Sequence, residues 1–188
     1  MTLSPAQRRQ LLALARTSIE SALPHGDLAP QPPAEWTPAL LALRSSFVTL
    51  RIDRELRGCC GTLDAPRPLA EDVWRNAWAS GFRDPRFPPL MPHEWLRSEL
   101  QISVLTPAAR MYVASEQDLL AELRPGVDGL ILALGASRVT FLPAVWDQIA
   151  DPQTFVRQLK LKAGWRADFW SPHIHASRYE SESFGEND

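Results

Sequence analysis

Two thiols, a guanidinium and a hydroxyl fall within one hexapeptide, Arg57-Gly58-Cys59-Cys60-Gly61-Thr62. A cysteine thiolate can act as a nucleophile, and a fixed cation beside it lowers the thiol pKa, so Arg57 stands where it could activate Cys59. Gly58 and Gly61 allow either positive φ angles or a close approach by another group. A backbone bent at this point exposes N–H groups able to cradle a small anion, and Thr62 adds a hydroxyl. Cys59 is therefore the candidate catalytic group, with Arg57, Gly58, Gly61 and Thr62 as candidate binding residues. The plainer alternative is a bulged strand whose two sulfurs alternate between core and surface, since free thiols are among the most buried groups.

A second candidate is Arg83-Asp84-Pro85-Arg86-Phe87-Pro88-Pro89. Its prolines stiffen the backbone, so Arg83 and Arg86 present guanidinium forks with little freedom left to lose. Asp84 can pair with Arg86 or cap a turn, and Phe87 can enter the core. If this loop packs beside Arg57, three guanidinium groups line one concave surface suited to a carboxylate or phosphate ligand. A base for Cys59 is harder to find: no residue pattern ties His25, His93, His173 or His175 to it. Cys59-Cys60 lacks the two-residue spacer that lets both sulfurs reach one zinc ion. His173-x-His175, with Glu180 or Glu182 nearby, has no third ligand in a known place. Neither a metal nor a cofactor is expected. Lys160 and Lys162 fall near a helix C-terminus, where they complement its dipole.

These residues need a frame. Ser4-Pro5-Ala6-Gln7 opens a helix with a cap, a proline in the first turn and a capping-box glutamine, and Leu11, Leu12, Ala15, Ile19 and Ala22 form its apolar stripe. Residues 23–38 are a proline-rich loop, with Leu28 and Trp36 available for burial. From Phe47 the period is two: Val48, Leu50 and Ile52 face one way, Asp53-Arg54-Glu55 turns the chain, and 56–63 returns as a second strand. A helix over 68–79 carries Leu69, Val73 and Ala77 beside Ala70, Trp74 and Trp78, with Gly81 as its stop. Leu100, Ile102 and Val104 mark a strand ending before Pro107. Residues 115–123 predict a short capped helix, 130–142 a hairpin about Gly135, and Asp151-Pro152 the start of a helix ending near Gly164. Residues 173–182 predict a last strand, and 183–188 a frayed tail. A hairpin followed by a helix thus occurs at 47–79 and again at 130–163, which points to α+β and not to alternating βαβ units.

Composition sets the outer limits. The 188 residues, 45% of them hydrophobic, suffice for a single domain with a proper core over 1–188. A net charge of −2, from 20 basic and 22 acidic residues, offers no concentrated basic field, so nucleic acid is not an expected partner. The longest apolar runs, 39–43 and 130–134, fall far short of a membrane span, and no signal peptide is evident. With neighbouring cysteines that cannot form an ordinary disulfide, the expected location is the cytoplasm.

Leu56-Arg57-Gly58-Cys59-x-Gly61-Thr62 resembles the Leu-Arg-Gly-Cys-Ile-Gly-Thr signature of the AMMECR family, whose bacterial members belong to the AmmeMemoRadiSam system. Phe82 to Leu90 resembles the family's second motif, and Leu100 to Pro107 its following strand. Gly126-Val127-Asp128-Gly129-Leu130, Phe141-Leu142-Pro143, Lys162-Ala163-Gly164 and Arg178-Tyr179 occur in the family's order. The similarity covers about residues 8–182. Cys60 departs from it, replacing an aliphatic residue, and the turn near 134–138 is short. The resemblance implies an α+β fold of two repeated strand–helix units forming a barrel-like, mainly antiparallel sheet, with two lobes and a groove between them. It adds Lys162 as a lesser binding candidate. It implies two protein partners, a Memo-family protein and a radical-SAM protein, beside a small anionic ligand. Two roles stay open: an enzyme component, or a non-catalytic adaptor docking those partners.

Overall fold

The computed structural model describes residues 2–25, 31–33 and 36–186. In chain order the elements are α1 (Pro5–Ala22), β1 (Ser46–Ile52), β2 (Glu55–Gly61), α2 (Leu69–Phe82), α3 (Pro92–Trp95), β3 (Ser98–Leu105), β4 (Ala109–Met111), α4 (Glu116–Glu122), β5 (Gly129–Leu134), β6 (Ser137–Phe141), α5 (Pro152–Lys162), β7 (His175–Tyr179) and β8 (Ser181–Gly185). They make two compact units. One runs to Leu105 and takes up the chain again from Glu182; the other is Thr106–Ser181. Among the described residues, no helix is long and apolar enough to cross a membrane.

The first unit begins with a reciprocal cap. Gln7 N–H donates to the Ser4 hydroxyl and Ser4 N–H to the Gln7 side chain, so two orphan donors of α1 are satisfied together. Leu11, Ala15, Ile19 and Ala22 are buried, as their helical spacing requires. With Val73 and Ala77 of α2 they pack against Val48, Leu50, Leu100, Ile102 and Val104 of a sheet ordered β2-β1-β3-β8. The β1–β2 turn carries φ of 52° at Asp53 and 70° at Arg54, the two positive angles that a two-residue turn needs to match strand twist. Below it Arg51 opposes Leu56 while Leu50 opposes Gly58, so Arg57 is the extra residue of a bulge.

The second unit has its own sheet, ordered β4-β7-β5-β6. Leu130, Leu132, Val156 and Leu159 fill its core, and Trp146 stacks on Phe155 with ring centroids 3.8 Å apart. Gly129 lies opposite Tyr179, whose ring covers it so closely that a Cβ would come within 2.4 Å. Burial pushes the Tyr179 hydroxyl up to about 12, and it stays protonated between Thr140 and the Phe141 carbonyl. Asp151 caps α5, and Gly164 follows with φ of 77°.

Several expectations need correction. Two antiparallel sheets are present, each with open edges, and no closed barrel is seen among the described residues. The single strand expected over 173–182 is two strands, because Tyr179 is buried in the second unit and Phe184 in the first. Residues 183–185 belong to β8 and Glu186 pairs with Arg16 at 2.7 Å; the last two residues of the expected frayed tail lie outside the described residues. Gly81 lies inside α2, not at its end: the helix stops at Arg83, where φ opens to −132° ahead of Pro85. β4 has no counterpart in the sequence reading. Lys160 does more than face a helix dipole, since it is fully buried and donates to both oxygens of Glu116. In the proline-rich loop Trp36 meets Trp74 edge-on at 6.4 Å, while Leu28 lies outside the described residues.

Candidate functional site

The hexapeptide begins where β2 leaves its bulge, on the open edge of the first sheet. Cys60 opposes Val48 and so shares the core-facing side, whereas Cys59 opposes Thr49 on the other side. Both cysteines are free thiols, and both residues are half-buried. They point to opposite faces because neighbouring strand residues alternate. The glycines serve close approach and not unusual φ: a Cβ on Gly58 would sit 2.0 Å from the Ser80 carbonyl oxygen of α2, and one on Gly61 would enter the Phe47 ring at 2.3 Å.

The N–H of Cys59 points away from β1, at the free edge, and donates to Asp84 Oδ2 at 2.9 Å. The anion held by this edge is therefore the chain's own carboxylate. Asp84 is buried, and Arg86 closes on it with Nε–Oδ1 at 2.9 Å and Nη2–Oδ2 at 2.6 Å. Arg86 N–H also donates to Oδ1, so Asp84 both pairs with Arg86 and caps the turn. The Arg86 guanidinium holds the Asp84 carboxyl down to about 2, and the Cys59 N–H deepens the shift.

Arg57 lies under the same turn. It is 8% exposed and gives Nε and Nη2 to the two oxygens of Glu94 at 2.8 and 2.9 Å. Nη2 also donates to the Pro88 carbonyl at 2.9 Å. This pairing holds the Glu94 carboxyl below its usual range. The guanidinium carbons of Arg57 and Arg86 each lie 5.6 Å from the Phe87 ring centroid. Leu90 N–H returns to the Gly81 carbonyl and closes the loop onto α2. Arg83, exposed, lies over the Trp78 ring at 5.2 Å. The three arginines thus gather around one loop, but Arg57 is committed inward, and Arg86 remains the half-exposed member at 55% side-chain exposure.

Thr62 is likewise committed. Its hydroxyl donates to Asp72, a fully buried carboxylate that also accepts from Ser46 N–H, the Ser46 hydroxyl and Asn76. Asp72 and Ser80, which meet the hexapeptide, and Asn76, which holds Asp72, are absent from the sequence-based candidates. Their signal was polar residues at spacing four along the buried side of α2. Glu94, the partner of Arg57, carried no such mark.

For thiol chemistry the arrangement offers limited help. Burial pushes the Cys60 thiol up to about 11, with Asp84 and Cys59 adding to the effect, so Cys60 is neutral at physiological pH. The Thr49 hydroxyl donates to Cys59 Sγ at 3.3 Å, which is not the contact of a general base. His25, His93, His173 and His175 are all exposed, and His175 pairs with Arg110. No cluster of three or more His, Cys, Asp or Glu able to hold a metal is found among the described residues. Lys162 belongs to the second unit, where it donates to the Thr140 carbonyl at 3.0 Å and lies over Phe141.

Comparison with known proteins places these features in a wider group. The family model AMMECR1 matches residues 12–184. A protein of Thermofilum pendens is 35% identical over 196 residues, covering 98% of this chain and 92% of that one. A protein of Methanothermobacter thermautotrophicus is 34% identical over 187 residues, covering 98% and 97%. The crystal structure of an uncharacterised protein from Pyrococcus horikoshii aligns with a TM-score of 0.86 at 31% identity, covering 94% of this chain and 90% of that one.

Proposed function

The chain belongs to the AMMECR1 family, and from that premise we propose that it is a recognition component, docking a partner protein through the Arg83–Pro89 turn. Arg86 and Phe87 are the contact groups, and an acidic group on the partner is their complement. The carrying observation is the double use of Asp84, which anchors the turn to the Cys59 N–H and holds the Arg86 fork in one orientation. Arg57 fixes the far side of the turn through Pro88. A surface so restrained loses little conformational entropy on binding, and arginine with aromatic carbon is a common anchor pair at protein interfaces. The partners are a Memo-family protein and a radical-SAM protein, the two that resemblance to the AmmeMemoRadiSam system implies. In a binding assay of the purified proteins, Arg86→Ala is expected to weaken the complex at least about tenfold while the circular dichroism spectrum is unchanged. A complex with unchanged affinity in that variant would sink the reading.

A second reading keeps Cys59 as a catalytic group of an enzyme component acting on a small anionic substrate. It is favoured by one observation: Cys59 is a half-buried residue outside the apolar core cluster. Cys59→Ser, which scarcely changes volume, separates the two. Loss of substrate turnover with partner binding intact selects the enzyme; no loss of either leaves docking alone.

A further inference from the structure

We propose that the cavity beside α2, walled by Arg67, Trp74, Arg75, Asn76, Trp78 and Ala79, binds a small aromatic carboxylate. Its volume is about 280 Å³. That is at the small end of ligand pockets, which run roughly 300–1,000 Å³. Trp74 and Trp78 are one helical turn apart and supply flat apolar walls for a ring.

The polar wall is rich in donors that lack acceptors. Arg67 has Asp72 as its acidic neighbour, at 3.8 Å, too far for a hydrogen bond. The oxygens of Asp72 are already taken by Ser46, Thr62 and Asn76. Arg67 makes no hydrogen bond among the described residues, although its side chain is only 29% exposed. Arg75 uses Nε on Glu71 and keeps its remaining N–H groups. The Trp78 indole N–H is shielded from solvent and has no hydrogen-bond partner among the described residues. A desolvated donor without a partner is a standing cost that an acceptor beside it removes. The indole has to turn to meet such an acceptor, beneath the Arg83 guanidinium that lies over its ring. A flat apolar body carrying a carboxylate complements this wall, since a guanidinium binds a carboxylate through two parallel hydrogen bonds. A wider groove of about 550 Å³ lined by Arg16, Glu20, Trp95 and Leu96 lacks this property. There Arg16 pairs with Glu186 and Glu20, and the Trp95 indole donates to Glu20.

The test uses the full chain labelled with ¹⁵N at its indoles and titrated with phenylacetate, with inorganic phosphate as the comparison. One indole N–H resonance, assigned to Trp78 by its absence in Trp78→Phe, is expected to move with phenylacetate and not with phosphate. Arg67→Gln is expected to weaken that response at least about tenfold. Absence of any Trp78 response at millimolar phenylacetate overturns the assignment. So does an equal response to phosphate, or an undiminished response in Arg67→Gln.

Discussion

Replacing Asp84 with asparagine keeps the volume and removes the charge, and the structure says what that costs. The Asp84 side chain is 3% exposed and accepts from Cys59 N–H, Arg86 N–H, Arg86 Nε and Arg86 Nη2. Its carboxyl is held at about 2, against an ordinary value of 3.8. At about 1.4 kcal/mol per unit this is worth roughly 2–2.5 kcal/mol. The half-exposed Arg86 screens part of it, leaving about 1–2 kcal/mol. An asparagine also turns one N–H₂ toward an existing donor, either the Cys59 N–H or the Arg86 fork, and an unsatisfied buried donor costs about 1–3 kcal/mol. The expected loss on unfolding in urea at neutral pH is therefore about 2–5 kcal/mol. The pH dependence provides a second arm. Because the folded value lies below the unfolded one, the Asp84 contribution is fully present above about pH 4 and is lost as pH falls toward 2. The wild-type chain should lose stability over that window more steeply than Asp84→Asn. A variant destabilised by less than about 0.5 kcal/mol, or parallel pH profiles, would refute the clamp.

Three further outcomes follow from single contacts. Gly58→Ala forces a Cβ to 2.0 Å from the Ser80 carbonyl, a backbone atom of α2 that cannot step aside, so a loss of about 3 kcal/mol or failure to fold is expected, read by thermal unfolding. Glu116→Gln leaves the buried Lys160 ammonium with its Phe169 carbonyl contact but without its directly bonded carboxylate, and a loss of about 3–5 kcal/mol is expected in urea unfolding. In a Cys59→Ser background, Cys60 is expected to react with iodoacetamide at pH 8 about 10²-fold more slowly than a free thiol, its rate still climbing toward pH 11; a rate equal to that of a small thiol contradicts the assigned burial.

The elements nearest to local rules were legible in the sequence. The Ser4–Gln7 box, the Val48–Leu50 alternation and the turn at Asp53-Arg54 each depend on neighbours within a few residues. Ties across the fold were not legible in this way. Asp84 reaches Cys59 across 25 residues, Arg57 reaches Glu94 across 37, and Lys160 reaches Glu116 across 44. Such pairings are set by topology, and an arginine, a lysine or a carboxylate carries no local sign of which partner it will meet. The glycine-flanked Cys59 marks a place for an anion, but nothing local marks Asp84 as the group its N–H meets. The break between β7 and β8 had a usable sign. Tyr179 and Phe184 are an odd number of residues apart, so the two buried rings cannot share one face of an unbroken strand.

A repeated topology separates what the site needs for folding from what it has beyond that. The order helix, hairpin, helix, strand occurs as α1-β1-β2-α2, then α3 and β3, and again as α4-β5-β6-α5-β7. In both sheets the second hairpin strand is an edge, and the later strand lies on the far side of the first: β2-β1-β3 and β6-β5-β7. The end of the second helix then ties to that edge in each case. Asp84 accepts from Cys59 N–H on β2, while Lys162 donates to the Thr140 carbonyl on β6. An edge strand left open is a template for pairing with other chains, so occupying it is a duty both units share. In the second unit the tie is a lysine donating to a backbone carbonyl. The Arg166–Asp168 pair that follows α5 is 82% and 71% exposed and shows no bond to β6 among the described residues. In the first unit the tie is a buried carboxylate that also fixes Arg86 beside Phe87. Blocking the edge requires only the carboxylate. The oriented guanidinium and ring are in excess of that requirement, and this excess is the physical reason to place recognition on the Arg83–Pro89 turn and not on the strand beneath it.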